Sequence, residues 1–177
     1  MDFLWVGNHP GVDLCNTVPL VGGDAVELLT RPGDLRSWLA AAGVAAGPQP
    51  SEPTLAWVRR LRDALRGVLT AGADRRRPLA AFNSVLAELP AVAAVDEDGR
   101  LMLRAAGPQA QLRLDVAAMA IDACGLPPER VRQCANPRCV LLFYDVSKSA
   151  SRRWHDMATC GNQAKAAAHH ARGRAGG

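Results

Sequence analysis

Three cysteines and a histidine crowd into the last third of the chain. Cys134-Ala-Asn-Pro-Arg-Cys139 sets two thiols four residues apart, with Asn136-Pro137 favouring a tight turn between them. After fifteen intervening residues, His155-Asp-Met-Ala-Thr-Cys160 repeats the spacing. Zinc takes four nitrogen or sulfur ligands at tetrahedral corners, and two short-looped pairs on a longer connector suit that geometry. The spacing therefore predicts a Cys3His site formed by Cys134, Cys139, His155 and Cys160 and holding one structural Zn2+. Four protein ligands leave no open position for water, so catalysis at the metal is not expected. The alternative reading is a chance gathering of core cysteines. Clustered Cys and His in a chain without secretory features favour metal over disulfide. Cys15 and Cys124 stand apart, each in an apolar pattern, and read as inert buried thiols.

The neighbouring sequence suits a small α+β knuckle. Val140-Leu-Leu-Phe143 reads as a short strand, and Ser147 to Trp154 as a polar, basic connector. Trp154 is expected in the knuckle core. Gly161-Asn162 can close the knuckle, and Gln163 to Arg172 is rich in helix formers. A helix starting at a ligand and carrying Lys165, His169, Arg172 and Arg174 could clamp phosphates or enter a groove.

The elements that must position this site are helical. Thr30 to Asp34 opens a helix through Leu35, Trp38, Leu39 and Ala42 that stops at Gly43. Ser51-Glu52-Pro53 opens a second, with Leu55, Val58, Leu61, Leu65, Val68 and Leu69 on one stripe; Arg59, Arg60, Arg62 and Arg66 are expected on its solvated side. Residues 78–89 and 108–124 predict two more helices, the last closed by Gly125. Between them, Asp96-Glu-Asp-Gly99 flanked by Val92, Val95, Leu101 and Leu103 signals a hairpin. Val12 to Val18 forms at most a short entry helix. The expected fold is mainly α: a helical domain over 1–125 with one small β-hairpin, then a zinc-binding knuckle with a C-terminal helix over 128–177.

Composition narrows the function classes. A chain of 177 residues, 49% hydrophobic and 21% charged, can fold around its own core without disulfides. Its longest apolar stretch, Trp38 to Gly47, is too short to span a bilayer. Met-Asp-Phe-Leu-Trp lacks a basic n-region and a cleavage site, so a cytoplasmic location is expected. Charge is uneven. Residues 1–125 hold 12 basic and 14 acidic side chains, a net of −2, whereas 126–177 hold 9 and 3, a net of +6. A local basic excess points to an anionic partner, nucleic acid first, or else to a solvated tail.

From Cys134 to Arg174 the sequence resembles the CGNR-type zinc finger. Beyond the first Cys pair, the resemblance rests on Leu142-Phe-Tyr-Asp145-Val-Ser147, Ser151-Arg-Arg-Trp-His-Asp-Met157 and Cys160-Gly-Asn-Gln163. The preceding part is similar to the helical ABATE domain through Gly11-Val-Asp-Leu-Cys-Asn16-Thr17 and Arg31-Pro-Gly-Asp-Leu-Arg-Ser-Trp-Leu39. The family is described as stress-induced transcriptional regulators of bacteria, which implies DNA binding. Two positions depart from its pattern: His155 stands for a Cys, and Gln163 for the signature Arg. That Arg either contacts phosphate or buttresses the knuckle, and the sequence leaves both open.

The leading expectation is a zinc-containing regulator that binds DNA through its basic end, with Arg152, Arg153, Lys165, Arg172 and Lys148 as contacts and a helical module that senses a small-molecule effector or dimerises. The alternative is a small-molecule-sensing or protein-interaction module whose zinc only staples the C-terminus. An enzyme is not expected: no G-x-S-x-G, H-E-x-x-H or phosphate-binding glycine loop is present.

Overall fold

A computed structural model describes residues 2–44 and 47–166. Five helices form the body: α1 (Pro10–Cys15), α2 (Pro32–Ala41), α3 (Glu52–Thr70), α4 (Arg76–Leu86) and α5 (Pro108–Cys124). Three two-stranded antiparallel sheets accompany them: β1 (Leu20–Val21) with β2 (Asp24–Ala25), β3 (Ala91–Val95) with β4 (Leu101–Ala105), and β5 (Val131–Gln133) with β6 (Leu142–Tyr144). A π-helical turn over Met157–Gly161 runs into helical residues 162–166. The mainly helical expectation holds. The first sheet was not foreseen; Gly22 and Gly23 turn it with φ of 65° and 106°, which glycine adopts freely.

Three of the five helices, α1, α2 and α3, begin where side chains satisfy free backbone N–H groups. Ser51 accepts from the Thr54 N–H, and Asp34 accepts from the Thr30 and Arg31 N–H groups. In α1 the cap is His9, whose Nδ1 accepts from Gly11 while Nε2 meets Asp122 of α5 at 3.0 Å. α3 is the central element, packed against α1, α2, α4 and α5. Its stripe of Leu55, Val58, Leu61, Leu65 and Val68 is fully buried, joined by Trp38, Trp57, Leu14 and Leu29. Gly11 is obligatory for the α1–α5 contact, since a Cβ there would lie 2.7 Å from both Ala123 Cβ and the Met119 carbonyl.

The arginines of α3 correct the sequence reading. Only Arg60 lies on a solvated face, paired with Glu88. Arg62 is 4% exposed, its guanidinium bonded to Glu27 at 2.7 Å, Asp63 at 2.9 Å and Thr17 at 3.2 Å. Arg59 donates to the Leu29 and Thr30 carbonyls, and Arg66 to those of Val140 and Cys15. A long guanidinium can cross an apolar stripe and still find acceptors, so helical position alone did not reveal its environment.

The C-terminal segment is docked on this body. β6 pairs with β5 along one edge, as Gln133↔Leu142 and Val131↔Tyr144. Its other edge is met by residues 7–16. Asn16, 1% exposed, accepts from the Leu142 N–H at 2.8 Å and donates to the Leu142 carbonyl at 2.9 Å. Tyr144 donates to the Gly7 carbonyl, and its own carbonyl accepts from the Asn8 amide. Both edges of a three-residue strand are thus hydrogen-bonded, and Leu142 belongs to the same hydrophobic core as α3.

Candidate metal centre

The segment between β5 and β6 forms the first half of the centre. Cys134 donates its N–H to the Leu141 carbonyl and Cys139 its own to that of Asn136, folding the loop so that both thiols face inward. The second half comes from the turn after Trp154. Asp156 accepts from the Ala158 N–H and from the Thr159 hydroxyl, both at 3.0 Å, and so starts the π-helical turn that carries Cys160. Those bonds, the Ala158 N–H first, hold the Asp156 carboxyl below its ordinary range.

The four predicted ligands converge. One ligand atom from each of Cys134, Cys139, His155 and Cys160 lies within 4.8 Å of all the others. Sulfurs at about 2.3 Å from a tetrahedral zinc stand about 3.8 Å apart, so little rearrangement is needed. Cys139 Sγ and His155 Nδ1 are 3.5 Å apart, which makes Nδ1 the ring nitrogen that faces the centre. Burial pushes the Cys139 thiol up to about 12, and Cys160 upward as well, with Cys134 adding to both. Burial, aided by Arg152, lowers His155 against the opposing pull of Asp156, which favours the neutral imidazole that metal ligation requires. Three thiols, two of them buried, and an imidazole biased to its neutral form are a donor set whose thiols give up their protons as a borderline-soft dication binds. The quartet is the site of one structural zinc ion.

A surrounding layer fixes these ligands. Asn136, 5% exposed, donates its amide to Cys160 Sγ at 3.2 Å and to the Gln163 side-chain carbonyl at 3.0 Å, while its own oxygen accepts from the Arg138 N–H. At this position, then, Gln163 braces the knuckle. Arg152 donates to the carbonyls of Trp154 and His155, and its guanidinium lies 5.1 Å over the Phe143 ring. It anchors the histidine ligand's backbone to β6.

Asp145 organises the connector. Its fully buried carboxylate accepts from the Ser147 and Arg152 N–H groups, with Arg132 Nε at 3.8 Å. Burial opposes its charge, but these partners outweigh that and hold the carboxyl below its usual range. Arg130 donates to the Asp145 and Ser147 carbonyls, and Arg132 to that of Ala150, a residue with φ of 45°. None of these roles was legible from spacing; the one available hint was the Asp145-x-Ser147 pattern, whose side chain bonds forward to the backbone.

The residues expected to meet DNA divide into three groups. Arg153, Lys148 and Lys165 are exposed, Arg153 lying 5.0 Å over the half-buried Trp154 ring, and none of the three joins an ion pair among the described residues. Arg152 has two of its N–H groups committed inside the loop. Arg172, with His169, His170 and Arg174, lies outside the described residues. Arg138, on the turn between the first two thiols, is a further exposed cation that the sequence reading did not single out.

No helix among the described residues is long and apolar enough to cross a membrane. Comparison with curated proteins finds no match. Residues 130–173 match the family model of the CGNR zinc finger, and residues 8–126 that of ABATE, described as "Putative stress-induced transcription regulator". With 119 of its 177 residues matching that model and the finger's four ligands converging, the chain belongs to the ABATE family and carries a CGNR zinc finger at its C-terminal end.

Proposed function

We propose that this protein is a transcriptional regulator that binds duplex DNA through the basic surface of its zinc finger, with the metal in a structural role and no catalytic one. The observation that carries this reading is the family membership, together with the concentration of positive charge in residues 126–177. The zinc centre would hold Arg138, Lys148, Arg153 and Lys165 as a rigid display around the knuckle. Arg130, Arg132 and Arg152 are bonded internally and would not be counted among the phosphate contacts.

That count sets the test. Four contacts give a slope of about −3.6 in the logarithm of affinity against the logarithm of salt. Fluorescence anisotropy on a duplex at several salt concentrations measures it, and Arg153→Ala with Lys148→Ala should make the slope shallower by about 2. Absence of binding at low salt, or an affinity indifferent to salt, would refute the reading. The docking of β6 on residues 7–16 favours a second reading, in which the zinc knuckle completes the body as a protein-interaction module. Tight capture of a protein partner with no affinity for DNA would distinguish it.

A further inference from the structure

The helical body contains a cavity of about 540 Å3 between α2, α5 and the segment leading into α3. Its size lies within the range of sites for small organic ligands, which are mostly apolar with a few placed polar groups. Leu39 and Leu112, each 5% exposed, line it from the two facing helices. Pro48, Pro50 and Pro108 line it too, each with φ fixed by its ring.

Its charged lining residues come one of each sign. Arg36 of α2 donates to the Gln49 side chain, and Asp115 of α5 accepts from Gln111 at 2.8 Å. Each is thereby oriented by a neutral neighbour. Neither joins an ion pair with the other or with any described residue. An apolar chamber with an unpaired guanidinium on one helix and an unpaired carboxylate on the other is complementary to a molecule with the same three parts. We infer that this cavity binds an apolar zwitterion of amino-acid to dipeptide size, its carboxylate on Arg36, its ammonium on Asp115 and its apolar body over Leu39 and Leu112. The site is remote from the zinc ligands in sequence and does not depend on DNA binding.

The test is titration calorimetry on the zinc-loaded full chain with three probes: the dipeptide leucyl-phenylalanine, its N-acetyl derivative and its C-terminal amide. The free dipeptide should bind, and each blocked form should bind at least about tenfold more weakly, the scale of one hydrogen bond to a charged group. Arg36→Gln should weaken the dipeptide but not the amide, which has no carboxylate to lose. Asp115→Asn should weaken the dipeptide but not the N-acetyl form. Ala40→Trp, which fills the cavity from an exposed position on α2, should abolish binding while zinc content and helical signal stay unchanged. No heat with the dipeptide at millimolar concentration overturns the inference. So does equal affinity for all three probes, or full binding by Ala40→Trp.

Discussion

Replacing Asn16 by Ala should loosen the finger from the body at a single point. The amide is 1% exposed and both of its bonds, 2.8 and 2.9 Å, go to the backbone of Leu142, itself 1% exposed. Truncation leaves a buried N–H and a buried carbonyl without partners. Each such group costs about 1–3 kcal/mol, so the loss should be about 2–6 kcal/mol, the upper end applying if water cannot enter the gap. In urea, with a slope of about 2 kcal/mol/M for a chain of this size, the midpoint should fall by about 1–3 M. Unfolding of the zinc-loaded protein is followed by tryptophan fluorescence and by far-ultraviolet circular dichroism. Asn16→Asp supplies the control: it can still accept from Leu142 N–H but, when ionised, sets a charge against the Leu142 carbonyl. Its carboxyl would be raised in the folded state, so its stability should improve as pH falls and worsen as pH rises through that raised value. A loss below about 0.5 kcal/mol in Asn16→Ala, with no change in slope, would show that the amide does not hold β6 in place.

Asn136→Ala should weaken zinc affinity by about 10–100-fold, read by competition with a chromophoric chelator, because it removes the N–H donor to Cys160 Sγ and the link to Gln163. Gly11→Ala should cost about 1–3 kcal/mol of stability in chemical denaturation, since its Cβ would sit 2.7 Å from Ala123 Cβ and force α1 away from α5. Asp34, bonded first by the Thr30 hydroxyl and then by the Arg31 N–H, has its carboxyl held below the ordinary value. Its contribution is therefore present above the unfolded-state carboxyl range and is lost as pH falls through the lowered folded value. Asp34→Asn should flatten the acid limb of a melting-temperature profile. Removal of zinc by a chelator should abolish the near-ultraviolet signal of Trp154 and lower the melting temperature, both recovering when zinc is restored.

The parts of this molecule that repeat at a fixed period were legible in advance. The α3 stripe follows from apolar residues at spacings of three and four, and the hairpin from Asp98-Gly99 between β3 and β4. The zinc quartet was legible because metal chemistry restricts ligand type, number and loop length together. Boundaries were less so: α4 runs Arg76–Leu86 where 78–89 was expected, because Leu89 continues the apolar pattern after the helix has stopped. What remained hidden were side chains whose partners lie far along the chain. Asn16 and Leu142 are separated by 126 residues, and Asn136 and Cys160 by 24, so no local pattern encodes them. Arg62 was misjudged for the same reason, since Glu27 and Thr17, which accept from it, belong to another segment.

The two-sided seating of β6 has a consequence for the order of events on the ribosome. The residues that line its outer edge, 7–16, are made more than a hundred residues before Leu142, and α5, against which α1 packs, ends at Cys124. Chains fold from the N-terminus as they emerge. A waiting row of acceptors and donors at Gly7, Asn8 and Asn16 can therefore exist before any zinc ligand leaves the tunnel. When Leu142 and Phe143 reach it, Cys134 and Cys139 are brought into their loop, and Arg152 on Phe143 then delivers His155. On that order the nascent thiols would meet a surface already in place, and the interval in which they stand open to oxidation or to a wrong metal would be shortened.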